Sequence, residues 1–252
     1  MDSTQENKIY KFGLLGRNIS YSFSRGYFTS KFDTEELDCE YVNFDIDDIN
    51  KFRKIIQNEP NLKGLNVTIP YKESILPYLD SVHKKAKAIG AVNTIKITKK
   101  RKLKGYNTDC YGFEKSIKPH LKKHHKSALI LGTGGASKAI AYTLEKLKIH
   151  YDYVSRSESK AKYTYSTLDE SILEAYKIII NCTPIGTYPN VNECPAIPYD
   201  GISEKHLLYD LIYNPEQTKF LRLGELQGAT IVNGLPMLKL QAEKSWKIWN
   251  KR

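Results

Sequence analysis

The sequence lacks any apolar run near the ~18 residues that crossing a bilayer requires, so no membrane span is expected. Its first segment, Met1 to Lys8, is polar and mixed in charge. It has no apolar stretch leading to a small-residue cleavage site, so a secretion signal is not expected either. Cysteine is sparse: Cys39, Cys110, Cys182 and Cys194 are scattered and form no CxxC pair. They read as reduced thiols of a cytoplasmic protein. Internal repeats and low-complexity tracts are missing, and 252 residues suffice for one or two domains with cores of their own. Acid is in short supply, with 28 Asp and Glu against 39 Lys and Arg, a net charge of +11. That balance attracts anions. Much of it lies in two runs, Lys99 to Lys104 and Lys118 to Lys126. Neither run interleaves aromatic residues as stacking platforms, so both read as solvated connections and nucleic acid is not expected as a partner. His120, His124 and His125 fall in the second run. No convergent ligands accompany them, so they read as exposed and no metal site is expected.

What is present is an alternation of short β-rich runs and helical stretches. Lys8 to Leu15, Tyr41 to Phe44 and Leu65 to Ile69 read as strands, the last stopped by Pro70. Ser24 to Leu37 and Asp47 to Gln57 read as helices between them. Such alternation predicts βαβ units and a largely parallel sheet. A boundary is expected around Gly105 to Asp109. Beyond it, Ser127 to Leu131, Tyr151 to Val154, Tyr176 to Ile180 and Leu207 to Leu211 read as further strands. Ala139 to Leu147 and Leu235 to Trp249 read as helices. In the latter, Leu238, Ala242, Trp246 and Trp249 recur at three- or four-residue spacing.

The strand–turn–helix at Leu129 to Leu147 carries the first chemistry. A diphosphate needs backbone N–H groups and a helix N-terminus facing it, and glycine permits the close approach. Gly132, Thr133, Gly134, Gly135 and Ala136 sit where that requires, with Ser137 in place of the third glycine of the common G-x-G-x-x-G pattern. Without that context the segment would be an ordinary glycine-rich turn. At the end of the next strand an NAD site would carry an acidic residue for the ribose 2′-OH. Here Ser155, Arg156, Ser157 and Lys160 supply hydroxyls and cations, suited to a 2′-phosphate and hence to NADP. Glu158 is expected to face solvent.

Four polar segments lie at strand ends, where an open α/β sheet has its ligand crevice. They are Ser20-Tyr21-Ser22-Phe23-Ser24, Asn66-Val67-Thr68-Ile69-Pro70-Tyr71-Lys72, Gly90-Ala91-Val92-Asn93-Thr94 and Asn107-Thr108-Asp109. Each alone has a plain structural explanation; Lys72 reads as a surface lysine and Asp109 as a helix start. Taken in order with Gly132-x-Gly134-Gly135-Ala136-Ser137 and the terminal Gly234-Leu235-x-Met237-Leu238-x-x-Gln241, they resemble the shikimate dehydrogenase family over nearly the whole chain, from about Tyr10 to Trp249.

The resemblance implies an α/β protein of two domains. Residues 1–107 plus 236–252 would form a substrate-binding and catalytic domain with a mostly parallel sheet, and the C-terminal helix would pack back on it. Residues 108–235 would form a Rossmann-like NADP-binding domain. It implies reversible NADPH-dependent reduction of 3-dehydroshikimate to shikimate in aromatic amino-acid biosynthesis, by a monomer or homodimer acting on a small molecule. Ser22 and Ser24 match hydroxyls that hold the substrate carboxylate. Thr68, Asn93 and Asp109 match groups that grip its ring hydroxyls, with Lys72 beside them. Gln241 and Tyr213 match substrate-edge residues, and Leu211 and Gly234 match positions near the nicotinamide. Asn181 to Gly186 resembles the family's strand end in the cofactor domain. Tyr21, Arg25 and Pro236 stand where the family has histidine, proline and glycine, which bears on loop geometry and substrate preference.

Reducing a carbonyl requires a proton for the developing alkoxide, and Lys72 is the donor this implies, with Asp109 as its partner. Two other readings stand beside it: a relative that uses NAD or quinate, and a non-catalytic binding paralogue. An acid at Ser155 or Arg156 would favour the first, and loss of Lys72 or Asp109 the second.

Overall fold

The structure, a computed structural model, describes residues 9–20 and 22–251. Tyr21 and Met1 to Lys8 lie outside the described residues. The chain divides into two compact units. One runs to Thr108 and resumes at Ala242; the other is Asp109–Gln241.

The first unit contains β1 (Tyr10–Gly16), α1 (Phe23–Thr34), β2 (Cys39–Asp45), α2 (Phe52–Asn58), β3 (Leu62–Val67), β4 (Ser81–Val82), α3 (Lys84–Ile89), β5 (Thr94–Ile97) and β6 (Leu103–Tyr106). Its sheet has the order β2-β1-β3-β5-β6-β4. The β1–β2, β1–β3 and β4–β6 pairs are parallel, as the strand–helix alternation requires. The β3–β5 and β5–β6 pairs are antiparallel, so the sheet is more mixed than the sequence alternation predicts. Leu15, Phe52, Leu62, Leu65, Ile75 and Ile95 pack on one face.

The predicted solvated run at Lys99 to Lys104 forms the turn of the β5–β6 hairpin and the start of β6, and its Arg101 is only partly exposed. Arg101 adopts φ 58° and points its guanidinium at the carbonyls of Ile56, Glu59, Pro60 and Leu62. A planar five-donor group satisfies carbonyls that the end of α2 leaves open.

The second unit contains α4 (Asp109–Ile117), β7 (Ser127–Leu131), α5 (Gly135–Lys146), β8 (His150–Ser155), β9 (Tyr163–Thr164), α6 (Glu170–Ala175), β10 (Ile178–Asn181), β11 (Leu207–Asp210), α7 (Lys219–Leu226) and β12 (Thr230–Val232). The sheet order β12-β11-β10-β7-β8-β9 is parallel throughout. Such a sheet is apolar on both faces. Ile130, Ile178, Ile180 and Tyr209 pack on one side, and Leu129, Leu131, Ile179 and Leu208 on the other.

The second basic run also departs from expectation. His124 is exposed, but His125 is buried at the foot of this unit. Its Nδ1 accepts from the Lys122 N–H at 2.9 Å and its Nε2 bonds the Lys205 carbonyl at 3.1 Å. Burial holds its pKa below the usual histidine value.

The last helix, α8 (Leu235–Asn250), starts in the second unit and ends in the first. In the first unit, Trp249 packs at a tilt against Phe12 and Phe28, and Trp246 meets Phe12 edge-on and Phe32 at a tilt. That is the seam predicted from their spacing.

Candidate active site

In the first unit, strand direction gathers the polar segments at one sheet edge. Gly16 is level with Asp45, and Leu15 with Val67, so β1, β2 and β3 end together. Because β5 is antiparallel, it begins at that edge, with Thr94 opposite Asn66; β6 returns there, with Tyr106 opposite Thr94. The hairpin that was not foreseen is therefore what brings Asn93 and Asn107 to the ends of β1 and β3. Backbone bonds stitch the edge. The Thr68 N–H donates to Leu15 O at 2.9 Å, Val67 N–H to Asn93 O at 2.8 Å and Val92 N–H to Lys72 O at 2.7 Å. Tyr71, buried, donates its hydroxyl to Ile46 O at 2.7 Å. The backbone on both sides of Lys72 is thus tied down, and its side chain is partly exposed.

The predicted substrate residues differ in setting. Ser22 caps α1, its hydroxyl accepting the Arg25 N–H at 3.4 Å. Thr68 is half-buried directly after β3. Ser24 is buried and hydrogen-bonds Tyr41. Asn93 is buried too, and its amide is turned to Thr108: Oδ1 accepts the Thr108 N–H at 2.7 Å, and Nδ2 donates to Thr108 Oγ1 at 3.0 Å. The residue following Thr108 is Asp109, which opens α4 as its sequence position predicts. Sequence reasoning held Thr94 and Thr108 only as members of their motifs and missed Tyr41 and Ser245, which bond to Asn66 behind this edge. A hydroxyl inside an otherwise apolar strand or helix has no local signature.

In the second unit the strand order reverses between β7 and β10, the position at which open α/β sheets place a ligand. The turn after β7 lies there. Gly132 has φ +99°, a conformation only glycine takes freely, and a Cβ on it would press on Thr183. At Gly134 an added Cβ would meet nothing within 4 Å, so this face of the turn is open. Gly134 caps α5 without a side-chain bond, leaving the helix N-terminus to an external anion. Ser137, in the third glycine's place, is buried and donates its hydroxyl to Gly134 O at 2.7 Å. It therefore braces the turn from below.

The Gly132 N–H donates to Val154 O, so the turn lies next to the end of β8. Ser155 is half-buried there and accepts the Ser157 N–H at 3.3 Å; Arg156, Ser157 and Lys160 are exposed. Glu158 is exposed, as predicted. The donor set fits a phosphorylated dinucleotide: open glycine backbone and a helix N-terminus for the diphosphate, and a guanidinium, an ammonium and hydroxyls for a further phosphate.

The ends of β10 and β11 carry a buried polar cluster, of which the sequence reading had Asn181 only as the start of a motif. Asp210 accepts from Ile212 N at 3.0 Å, Thr218 Oγ1 at 2.6 Å and Asn181 Nδ2 at 3.1 Å. Asn181 Oδ1 in turn accepts from Thr183 N and Oγ1. Burial pushes the Asp210 pKa up to about 6, against the pull of these donors. The cluster fixes the loop bearing Leu211 and Tyr213, both half-buried. Gly234 packs so closely on the Leu211 backbone that any Cβ would collide with it. Gln241, on α8, donates to Leu238 O at 3.0 Å.

Residues 14–95 match the family described as the shikimate dehydrogenase substrate binding domain. The chain is 38% identical over 256 residues to the shikimate dehydrogenase (NADP(+)) of Methanosphaera stadtmanae, covering 94% of this chain and 90% of that protein. Among solved structures it is similar to a shikimate dehydrogenase in complex with NADP+, with a TM-score of 0.85, 33% identity, and coverage of 96% of this chain and 90% of the other. It is also similar to the shikimate 5-dehydrogenase of Thermus thermophilus in complex with NADP(H) and shikimate, with a TM-score of 0.84, 27% identity, and coverage of 96% and 93%.

Proposed function

The chain belongs to the shikimate dehydrogenase family, and from that membership we propose that it catalyses the reversible NADPH-dependent reduction of 3-dehydroshikimate to shikimate. The observation that carries this reading is the pairing, in one chain, of a polar strand edge around Lys72 with an open glycine turn next to Arg156.

Residues 1–107 plus 236–252 serve as the substrate and catalytic domain, and residues 108–235 as the NADP domain. The nicotinamide, when bound, supplies or takes the hydride. Gly132, Thr133, Gly134, Gly135 and Ala136 hold the diphosphate. Arg156, Ser155, Ser157 and Lys160 hold the 2′-phosphate, Arg156 through its forked donors. Leu211 and Gly234 flank the nicotinamide site. On the substrate side, Ser22 and Ser24 at the start of α1 receive the carboxylate, where the helix dipole favours an anion. Thr68, Asn93, Tyr213 and Gln241 receive the ring hydroxyls. Lys72 gives the proton to the forming alkoxide and takes it back in reverse, and Asp109 is its partner. None of the four cysteines is in a disulfide, which suits a cytoplasmic enzyme.

The test is to follow NADP+ reduction with shikimate and then with quinate, and to repeat both with NAD+. Turnover of shikimate with NADP+ at the highest kcat/KM is expected. A higher value for quinate, or for NAD+, would replace this reading with that of a quinate-type enzyme.

A further inference from the structure

Ser245 lies one turn beyond Gln241 on α8 and is wholly buried within the first unit. Its hydroxyl meets three side chains from three different strand ends. Asn66 Nδ2 donates to it at 3.0 Å, Thr94 Oγ1 lies at 2.8 Å and Thr108 Oγ1 at 3.2 Å. A hydroxyl has one proton to donate and two lone pairs to accept with, and these partners share them. Each partner neighbours a site residue in the chain: Asn66 precedes Thr68 by two, Thr94 follows Asn93, and Thr108 precedes Asp109. The set extends further. Asn66 Oδ1 accepts the Tyr41 hydroxyl at 2.8 Å, and Tyr41 hydrogen-bonds Ser24. Thr94 and Thr108 both also bond Asn93 Oδ1.

We propose that Ser245 is a positioning residue, the node at which the C-terminal helix sets the register of the strand ends that carry the substrate-binding groups. It rests on the reaction proposed above only for its effect on turnover. Being wholly buried, Ser245 acts through its partners. Without its oxygen, Asn66 Nδ2 keeps only the longer contacts to Asn93 O at 3.3 Å and Thr94 Oγ1 at 3.4 Å. A buried donor left so poorly matched is costly, and the strand ends shift to relieve it.

Two single variants and their double test this. Ser245→Ala removes the hydroxyl with no added volume; Thr94→Val removes a partner at constant shape, and Thr94→Ser keeps it. Hydrogen exchange should speed up in residues 66–72, 92–95 and 107–110 of Ser245→Ala and Thr94→Val, with the glycine turn at 132–136 unchanged. For shikimate, kcat/KM should fall about 10-fold in each, the equivalent of losing one buried hydrogen bond. The double variant should be no worse than the poorer single, since both break one node. Thr94→Ser should recover most of the loss, and NADPH affinity should stay within about 2-fold throughout. Unchanged exchange in those segments overturns the proposal, as does multiplication of the two defects. A lower melting temperature with unaltered kcat and KM overturns it too. If the wild-type enzyme is idle on shikimate, the reaction fails, while local loosening in the two variants still supports the node.

Discussion

Asp210→Asn should change how the stability of the second unit depends on pH. Asp210 is fully buried among three donors, from Ile212, Thr218 and Asn181. Burial raises its pKa from 3.8 to about 6 in the folded protein. Between those values the folded chain holds a proton that the unfolded chain has released. The stability this group contributes is therefore fully present below about pH 3.8 and is lost as pH rises through about 6. At ~1.4 kcal/mol per pKa unit, the loss across the window is on the order of 3 kcal/mol. The facing titratable groups, Cys182 and Tyr199, are both pushed upward by burial and stay neutral throughout. Asparagine does not titrate, so the variant lacks this component. Its altered hydrogen bonding offsets the whole curve but leaves no slope. Native-state hydrogen exchange of the amides in β10 and β11, corrected for the intrinsic pH dependence of exchange, measures the opening free energy from pH 4 to 7. The wild-type value minus the variant value should fall by about 3 kcal/mol over that range. A flat difference, or one that rises with pH, would refute the assignment of a raised pKa to Asp210.

Three further outcomes are expected. Lys72→Ala should lower kcat by at least ~100-fold with a smaller effect on KM, as removal of a general acid–base group does; near-normal kcat in steady-state kinetics would exclude Lys72 from that role. Arg156→Ala should weaken NADPH binding roughly 10- to 100-fold and leave NADH binding nearly untouched, by fluorescence titration, because only NADPH carries the phosphate that the guanidinium meets. Gly64→Ala places a methyl group inside the Trp249 indole and breaks its N–H bond to Ile95 O. That should cost about 1–3 kcal/mol, read as a lower urea midpoint together with a red-shifted tryptophan emission.

The legible parts of this fold are those whose cause is local. Strand–helix alternation and the apolar Ser127 to Leu131 run, followed at once by glycines, predicted the parallel sheet of the second unit, the parallel pairs of the first and the glycine turn. The β5–β6 hairpin was not legible because its turn has no glycine or asparagine to announce it; the left-handed position is taken by Arg101. The same residue shows why counting charge misled. A run of cations reads as solvated, yet one guanidinium is held by four carbonyls that approach only in three dimensions. His125 is a parallel case, since its partner Lys205 lies 80 residues away. Lys72 and Arg156 stand out in the sequence through their motifs, whereas the residues that support those segments do not. Ser245 sits among alanine and tryptophan on an amphipathic helix, where a small residue reads as packing.

The polar strand ends of the first unit and the loop after β11 in the second are braced by different chemistry, with a consequence for how each responds to pH. The substrate edge is held by hydroxyls and amides: Tyr41, Asn66, Thr94, Thr108 and Ser245. Of these only Tyr41 can ionise, and burial pushes its pKa far above the usual tyrosine value. Neutral groups that satisfy one another are buried at modest cost, and their geometry does not respond to pH. The cofactor edge is held instead by a carboxylate, Asp210, which gains a proton near pH 6 and would then donate where it had accepted. Protonation therefore removes the cost of a buried charge beneath the loop bearing Leu211 and Tyr213, while the frame behind Lys72 does not respond. A pH profile of kcat/KM for shikimate compared between the wild-type protein and Asp210→Asn isolates the titration of Asp210 from that of every other group.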